Sequence, residues 1–261
     1  MNRLLIAAAA SLLLAGSAAA QTPPPLTFPA PVQTAPGGTD YAAVLASPIR
    51  TDEDRARDAA RMTGQTLRFT GVQPGWKVGD MIMGGGYFTR AFSAAVGPEG
   101  HVTAWQPAEF IGFQASYGEA ADAADRLPNV DVIRSPISAP EFPRGLDLVF
   151  TAQNYHDLHL APFGTDTAAK VNAAVFEALR PGGWYVVIDH HAVDGSDLSV
   201  ADTLHRIDRA TVVREIEAAG FELRSEAAAL WNDEDPRTAN VFDEAIRGRT
   251  SQFMIAFQKP E

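Results

Sequence analysis

The sequence predicts an α/β fold, a doubly wound seven-stranded parallel sheet with an antiparallel last strand. Two observations predict it. Short apolar runs alternate with helix-compatible stretches, and the first apolar run leads into three glycines, Gly84, Gly85 and Gly86. Such alternation favours a parallel sheet covered by helices on both faces. The chain ends in two apolar runs with no helix between them, which indicates that the final strand runs antiparallel.

The boundaries follow from caps and breakers. Thr51 precedes three acidic residues, which suit the first turn of a helix. Gly97-Pro98 and Arg180-Pro181-Gly182-Gly183 are typical helix stops. The predicted strands are residues 77–83, 101–106, 130–134, 146–150, 184–189, 221–230 and 252–258, and the predicted helices are residues 51–69, 87–96, 107–127, 167–179 and 211–219.

Residues 1–20 have the organisation of a secretory signal peptide. Arg3 precedes an apolar run over residues 4–14, and small residues end at Ala20. Because a membrane anchor needs about 20 apolar residues, we expect cleavage after Ala20 and an exported protein, periplasmic or secreted. An uncleaved anchor is the alternative. Residues 21–50 are predicted to be a Pro/Gly-rich linker and lead-in, and residues 51–261 a single domain.

Composition excludes several classes of function. The chain has no cysteine, so it has no thiolate nucleophile and no cysteine-ligated metal. It carries 21 basic and 32 acidic residues, a net charge of −11, and loss of the signal peptide would remove only Arg3 among the charged residues. A negative surface repels phosphate backbones and anionic lipid. We therefore expect no nucleic acid partner and no stable membrane association after signal cleavage.

The three glycines stand where a strand turns into a helix, after Asp80 near the end of the first strand. Glycine has no Cβ, so a ligand can lie against backbone N–H groups near the positive end of the helix dipole. The pattern predicts a nucleotide-type cofactor loop, in which a Gly86→Val side chain would occupy ligand space. A tight turn without a ligand is the alternative.

Four segments together resemble a class I S-adenosylmethionine-dependent methyltransferase. They are residues 72–78, residues 80–89, Asn154-Tyr155-His156-Asp157 and Leu179-Arg180-Pro181-Gly182-Gly183. The resemblance covers residues 51–259. Within the class the chain is most similar to a group of exported, predicted methyltransferases of unassigned substrate, to which residues 204–208 and 242–247 add. The resemblance implies a Rossmann-like methyltransferase sheet, S-adenosyl-L-methionine as cofactor, and methyl transfer to oxygen or nitrogen of a small molecule.

Two positions depart from the pattern of that class. Ile82 stands where the first glycine is expected, and Gln106 stands where an acid that binds the ribose hydroxyls is expected. An amide can donate and accept hydrogen bonds but lacks the charge-assisted strength of a carboxylate. The missing acid also argues against a nicotinamide dinucleotide.

Ligands of open parallel sheets bind beyond the carboxyl ends of the strands. His156 and His190 follow the fourth and fifth strands, and a histidine oriented by Asp157 or Asp189 can remove a proton from an acceptor. We therefore predict catalytic roles for His156, Asp157 and His190. The alternative is that these histidines and Asn154 bond loop backbone. The predicted cofactor-binding residues are Asp80, Gly84, Gly85, Gly86, Tyr87, Gln106 and Asn154.

A metal site is the other alternative for these side chains. His156, Asp157, His159 and His190 are acceptable Zn or Mn ligands, but their spacing matches no standard motif, and no metal site is assigned. Three functions stay open: a methyltransferase, a non-catalytic relative that binds a nucleoside or cofactor, and a metal-dependent protein on the same fold. Tyr87, Trp105 and Tyr155 are candidates for an aromatic substrate pocket.

Overall fold

The computed structural model describes residues 38–261, so the predicted signal peptide and most of the predicted linker lie outside the described residues. The described chain alternates helices and strands in the predicted manner. The strands are β1 Lys77–Met81, β2 His101–Trp105, β3 Val130–Ile133, β4 Leu146–Ala152, β5 Leu179–His190, β6 Glu222–Ala227 and β7 Gln252–Gln258. The helices are α1 Tyr41–Ala46, α2 Asp52–Arg57, α3 Thr63–Thr70, α4 Tyr87–Val96, α5 Ala108–Phe113, α6 Ala115–Ala124, α7 Thr167–Ala178, α8 Ser199–Leu204 and α9 Arg209–Ala218.

All seven strands join one sheet in the order β3-β2-β1-β4-β5-β7-β6. The pairs among β1 to β5 are parallel, and β7 runs antiparallel to both β5 and β6. The predicted fold class is confirmed. The carboxyl ends of β1, β4 and β5 lie side by side, and there a ligand site is expected in such a sheet.

The sheet is buried on both faces because helices cover each of them. Phe92 of α4 packs on Phe150 of β4 with ring centroids 5.0 Å apart. On the other face, Tyr185 of β5 lies 5.6 Å from Phe221, just before β6. Strands buried on both faces read as continuous apolar runs, and this explains why β4 and β7 could be found from sequence.

Three predicted elements differ in detail. Residues 107–127 form two helices because Gln114 adopts an extended conformation with φ −150° and ψ 114°. Residues 51–69 also form two helices, separated by Met62 at φ 47°. Leu179-Arg180-Pro181-Gly182-Gly183 belongs to β5, with a register shift opposite residues 146–148. In each case backbone pairing or packing overrides a local stop or continuation signal.

The residues before Thr51, assigned to a lead-in from sequence, include α1. Val44 of α1 is buried in the core, and the Thr39 hydroxyl donates to the Val72 carbonyl at 2.6 Å. Thr51 caps α2 as predicted, since its hydroxyl accepts the Asp54 N–H at 3.1 Å and the Asp54 carboxylate accepts the Thr51 N–H at 3.0 Å. Among residues 38–261, no helix has the length and apolar character needed to cross a bilayer.

Candidate functional site

A cleft of about 550 Å³ opens at the carboxyl ends of β1, β4 and β5. The loop after each of these strands contributes to its wall, as the topology of the sheet requires. Most of the site residues predicted from sequence meet there. They are Asp80, Gly84, Gly85, Tyr87, Asn154, His156, Asp157 and His190.

The glycine loop presents bare backbone to this cleft. A Cβ added at Gly84 or at Gly85 would meet no heavy atom within 4 Å. Gly84 has φ 54°, whereas Gly85 lies outside the left-handed region. A ligand can therefore approach the loop here, and even a small side chain would enter its space.

Gly86 has a different role from the one expected. It caps α4 at φ 76°, and a Cβ there would lie 2.8 Å from Nη1 of Arg90 and 3.4 Å from Cε of Met83. Gly86 does not line the cleft. The expectation that a Gly86→Val side chain would occupy ligand space is therefore wrong, because that side chain would press on protein atoms and strain the turn.

Two contacts hold the loop in shape. Arg90 of α4 donates to the Gly85 carbonyl at 3.1 Å and forms a two-pronged ion pair with Asp54 of α2, both N···O distances being 2.6 Å. Asn154, after β4, donates from Nδ2 to the Ile82 carbonyl at 2.9 Å. The loop is thus tied to the N-terminal helices on one side and to the β4 loop on the other.

Ile82, which stands where the resemblance expects a glycine, adopts a backbone conformation that favours glycine. Its φ is 58°, in the left-handed region, and its side chain is buried at 2% exposure. For a residue with a Cβ this conformation costs about 1–2 kcal/mol. The turn that the class pattern needs is therefore made without the first glycine, at the cost of strain.

Asp80 ends in a buried position at the head of the cleft. Its carboxylate accepts the Thr89 hydroxyl at 2.6 Å and is 3% exposed. Burial raises the pKa of Asp80 to about 6, against the opposing effects of the Thr89 hydrogen bond and the cations of Arg61 and Arg90. A buried carboxylate with few partners is suited to bind a cationic or donor group of a ligand.

Two arginines that sequence reasoning missed also line the cleft. The guanidinium of Arg61 lies 4.7 Å, and that of Arg57 5.3 Å, from the centre of the Tyr87 ring. Burial and the neighbouring Arg57 lower the pKa of Arg61 to about 10, so it stays charged at neutral pH. Nothing in the local sequence distinguishes these arginines, because only the packing of α2 and α3 over the glycine loop brings them to the site.

At the wall of the cleft, His156 lies between two carboxylates, those of Asp157 and Asp189. Nδ1 of His156 lies 2.9 Å from the Asp189 carboxylate, and its Nε2 lies 3.3 Å from Asp157 Oδ1. Burial lowers the pKa of His156, but the carboxylates of Asp189 and Asp157 outweigh it and raise the pKa to about 9. Burial raises the pKa of Asp157 to about 6, whereas His156 holds the pKa of the fully buried Asp189 below its usual range. Without a bound cation, His156 therefore carries a proton at neutral pH and is not itself a ready base.

Two further histidines stand beside His156. His190 bonds the Thr250 hydroxyl through Nδ1 at 2.7 Å, and burial lowers the pKa of His190 to about 3, so its ring is neutral. His205, which follows α8, packs edge-on against His156 with ring centroids 5.5 Å apart and lines the cleft. Its sequence signal was present in the resemblance at residues 204–208, but no role was predicted for it.

Gln106, predicted to bind cofactor, is fully buried and is not among the residues that line the cleft. Neither its amide nitrogen nor its amide oxygen has a hydrogen-bond partner within residues 38–261. A buried amide without partners is costly. In this structure Gln106 has no exposed surface with which it could contact a cofactor in the cleft.

The aromatic lining differs from the predicted one. Tyr87 lines the cleft, but Trp105 and Tyr155 are fully buried in the core. Tyr155 instead donates to Glu215, which also lies 3.0 Å from His159, and His159 is not among the residues that line the cleft. The other aromatic residues at the cleft come mainly from α5, α6 and the segment between β6 and β7, namely Phe110, Phe113, Tyr117 and Phe242.

A second cleft, of about 630 Å³, lies at the β5, β6 and β7 half of the sheet. Its walls include His191, Asp208, Glu226 and Trp231. It is of similar size, but it contains none of the predicted site residues and no residue of the glycine loop. We therefore take the cleft at the loop as the candidate functional site.

The sequence matches no protein-family model and no curated protein at significant similarity. Several solved structures share the fold. A SAM dependent methyltransferase from Aquifex aeolicus superposes with a TM-score of 0.53 at 18% identity, over 84% of this chain and 98% of that one. Fibrillarin from Aeropyrum pernix, solved with natively bound S-adenosyl-L-methionine, gives 0.51 at 15% identity, over 77% and 76% of the two chains.

A third neighbour, the [4+2]-cyclase SpnF, gives a TM-score of 0.56 at 16% identity, over 86% of this chain and 97% of that one. At such identities the likeness concerns the fold, and one fold hosts different chemistries. The chain therefore has the Rossmann-like fold seen in S-adenosylmethionine-dependent methyltransferases, and its function has to be argued from the cleft.

Proposed function

We propose that the chain is an S-adenosyl-L-methionine-dependent methyltransferase that acts on oxygen or nitrogen of a small molecule. The observation that carries the proposal is the pair Gly84 and Gly85, whose missing side chains leave open space at the carboxyl end of β1. Backbone N–H groups bared in this way, ahead of the N-terminus of α4, are suited to a nucleoside-type ligand.

The residues around the loop fit the two charged groups of the cofactor's amino acid part, its ammonium group and its carboxylate. The buried Asp80 carboxylate would receive the ammonium group, and Arg61 and Arg57 the carboxylate. Asn154 keeps the loop in place through the Ile82 carbonyl. When bound, S-adenosyl-L-methionine supplies an electrophilic methyl group: the acceptor's lone pair forms the new bond to carbon, the carbon–sulfur bond breaks with both electrons going to sulfur, and the acceptor releases one proton.

The rest of the cleft supports a small, partly apolar acceptor. Its volume of about 550 Å³ lies within the range of sites for small ligands, roughly 300–1,000 Å³. Phe113 and Phe242 are large apolar side chains at its edge, 66% and 57% exposed, and they would be covered by a bound acceptor. Within residues 38–261 the cleft wall carries two arginines and no basic stripe of the kind that nucleic acid requires.

His156, Asp157 and His190 would bind and polarise the acceptor group. Asp189 holds His156 from behind through both its ring nitrogen and its backbone N–H, the latter at 2.7 Å. Such support keeps the rings within the narrow range of positions that in-line transfer requires. Their action depends on position, so removing Asp189 should impair turnover more than cofactor affinity.

A non-catalytic relative that binds the same cofactor is the second candidate. Strained Ile82 and buried Gln106 favour it, because both replace residues that the class pattern uses for the cofactor. Retained binding with no methyl transfer would identify this second function.

We also propose that the protein is exported and acts in the periplasm or outside the cell. Arg3, the apolar residues 4–14 and the small residues before Gln21 support this proposal. Intact-mass measurement of the protein recovered from a bacterial host tests it, with loss of residues 1–20 as the expected result. A full-length chain retained in the cytoplasm would contradict it.

The experiment for the main proposal is incubation with methyl-labelled S-adenosyl-L-methionine and pools of phenols, amines and carboxylic acids. The expected result is labelled product with one equivalent of S-adenosylhomocysteine. Binding of the cofactor without release of S-adenosylhomocysteine in any pool would replace the proposed activity by the binding function, and absence of binding would overturn both.

A further inference from the structure

We propose that His156, Asp157 and His205 bind a divalent transition-metal cation of the Zn²⁺, Mn²⁺ or Fe²⁺ type on the inner wall of the cleft. The proposal of a cation site is argued from the geometry of these three residues alone. The further step, that the cation binds and activates the methyl acceptor, rests on the proposed methyltransferase function.

The three side chains already converge. One ligand atom from each, a ring nitrogen or a carboxylate oxygen, lies within 4.8 Å of the other two. His156 Nε2 and Asp157 Oδ1 are 3.3 Å apart. Ligands at about 2.0–2.2 Å from a tetrahedral metal are separated by about 3.4 Å, so this pair is already at the required spacing. The third ligand needs only a small side-chain adjustment.

Asp189 gives His156 the support that metal-binding histidines receive. Its carboxylate takes Nδ1 of His156 at 2.9 and 3.1 Å, which leaves Nε2 directed to Asp157. The same carboxylate accepts the backbone N–H groups of His156 and His190, both at 2.7 Å, and it is fully buried. A carboxylate behind a histidine orients the ring and makes its other nitrogen a stronger ligand.

His205 provides an independent observation. It adopts the left-handed conformation, with φ 53°, at the end of α8, a position that glycine occupies without strain. Phe242 holds its ring from the other side, with centroids 4.9 Å apart. Strained residues that persist are concentrated at functional sites. Here the strained backbone conformation brings the His205 imidazole against His156, whereas a glycine at this position would have no side chain to offer a ligand atom.

The chemistry of the donors indicates the kind of cation. Two imidazoles and one carboxylate suit Zn²⁺, Mn²⁺ or Fe²⁺ better than Ca²⁺ or Mg²⁺, which prefer oxygen. All three residues line the open cleft, so coordination positions remain for a substrate atom. A cation there would neutralise Asp157 and Asp189 and lower the pKa of a bound hydroxyl or amine.

A second group of similar composition, His191, Asp194 and Asp208, serves as a control. Asp194 is 48% exposed and is already paired with Arg237 at 3.0 Å. Its carboxylate is therefore paired with an arginine, which cannot act as a metal ligand, whereas Asp157 is paired with His156, which can. Asp194→Ala should leave metal affinity unchanged.

The test is titration of the chelator-treated full chain with Zn²⁺, Mn²⁺ and Co²⁺, followed by calorimetry and by the visible absorption of Co²⁺. We expect one equivalent to bind, at least tenfold weaker binding in His205→Gly and Asp157→Asn, and unchanged binding in Asp194→Ala. His205→Gly also removes the backbone strain, so its thermal midpoint should not fall greatly, and circular dichroism checks that it is folded.

Absence of stoichiometric binding by the wild type would overturn the proposal, as would equal affinities in His205→Gly and Asp194→Ala. Titration of the metal-free chain with S-adenosyl-L-methionine separates the two ideas. Cofactor binding without any metal binding leaves the methyltransferase proposal standing and removes the metal site. Metal binding without cofactor binding leaves the metal site standing and removes the methyltransferase proposal.

Discussion

Gly85→Leu is the sharpest perturbation of the glycine loop. Gly85 is exposed, has no positive φ, and a Cβ there meets no protein atom within 4 Å. The added side chain therefore costs the fold little, and replacing glycine where the backbone permits it stabilises a protein by about 0.4–1 kcal/mol. The thermal midpoint should change by no more than about 4 °C.

The same side chain enters the space in which the cofactor would lie against the loop. Its four carbon atoms would fill the space next to the backbone in which ligand atoms would otherwise lie at a contact distance of about 3.5–4 Å. We expect the affinity for S-adenosyl-L-methionine to fall at least tenfold, which is about 1.4 kcal/mol. Calorimetric titration measures it.

Gly112→Leu is the matched control. Gly112 lies in α5, is exposed, and also has open space at its Cβ position, so this variant should bind cofactor as the wild type does. If Gly85→Leu keeps wild-type affinity while folded, the loop is not the cofactor site and the reasoning from bare backbone is refuted.

Three other predictions concern neighbouring residues. Since burial raises the pKa of Asp80 to about 6, its negative charge is lost as the pH falls through that value. The affinity for the cationic cofactor should therefore drop by up to about tenfold for each pH unit below 6. If the pH dependence of cofactor affinity in Asp80→Asn equals that of the wild type, this prediction is contradicted. Arg61→Gln should weaken binding of S-adenosyl-L-methionine about fivefold or more but not that of methylthioadenosine, which lacks the carboxylate; equal losses for the two ligands would exclude the carboxylate contact. At Ile82, with φ 58°, urea unfolding should find Ile82→Gly more stable than Ile82→Ala by about 1 kcal/mol, although glycine is usually the less stable of the two. If Ile82→Ala is the more stable variant, the backbone at this position is not strained.

The fold was predictable because its signals are local or periodic. Apolar runs gave β1, β4 and β7, and the glycines after β1 located the turn into α4. The break at Gln114 was not predictable, since it depends on how α5 and α6 pack rather than on a breaker residue.

The candidate site was predictable only in part. Residues near or just after the carboxyl ends of strands, such as Asp80, Asn154 and His156, could be placed at the cleft because the sheet topology brings strand ends together. Arg61 and His205 reach it through tertiary packing of the segment between α2 and α3 and of the segment after α8, and no pattern in the sequence shows which way their side chains point. Gly86 was misjudged because the side on which an absent Cβ would point depends on the backbone conformation of the turn.

The most direct test of the central claim is a crystal structure of the protein with S-adenosylhomocysteine. We expect density for the ligand against Gly84 and Gly85, with its amino acid group between Asp80 and Arg61. Ligand density in the second cleft, against His191 and Trp231, or none in either cleft at saturating concentration, would contradict it.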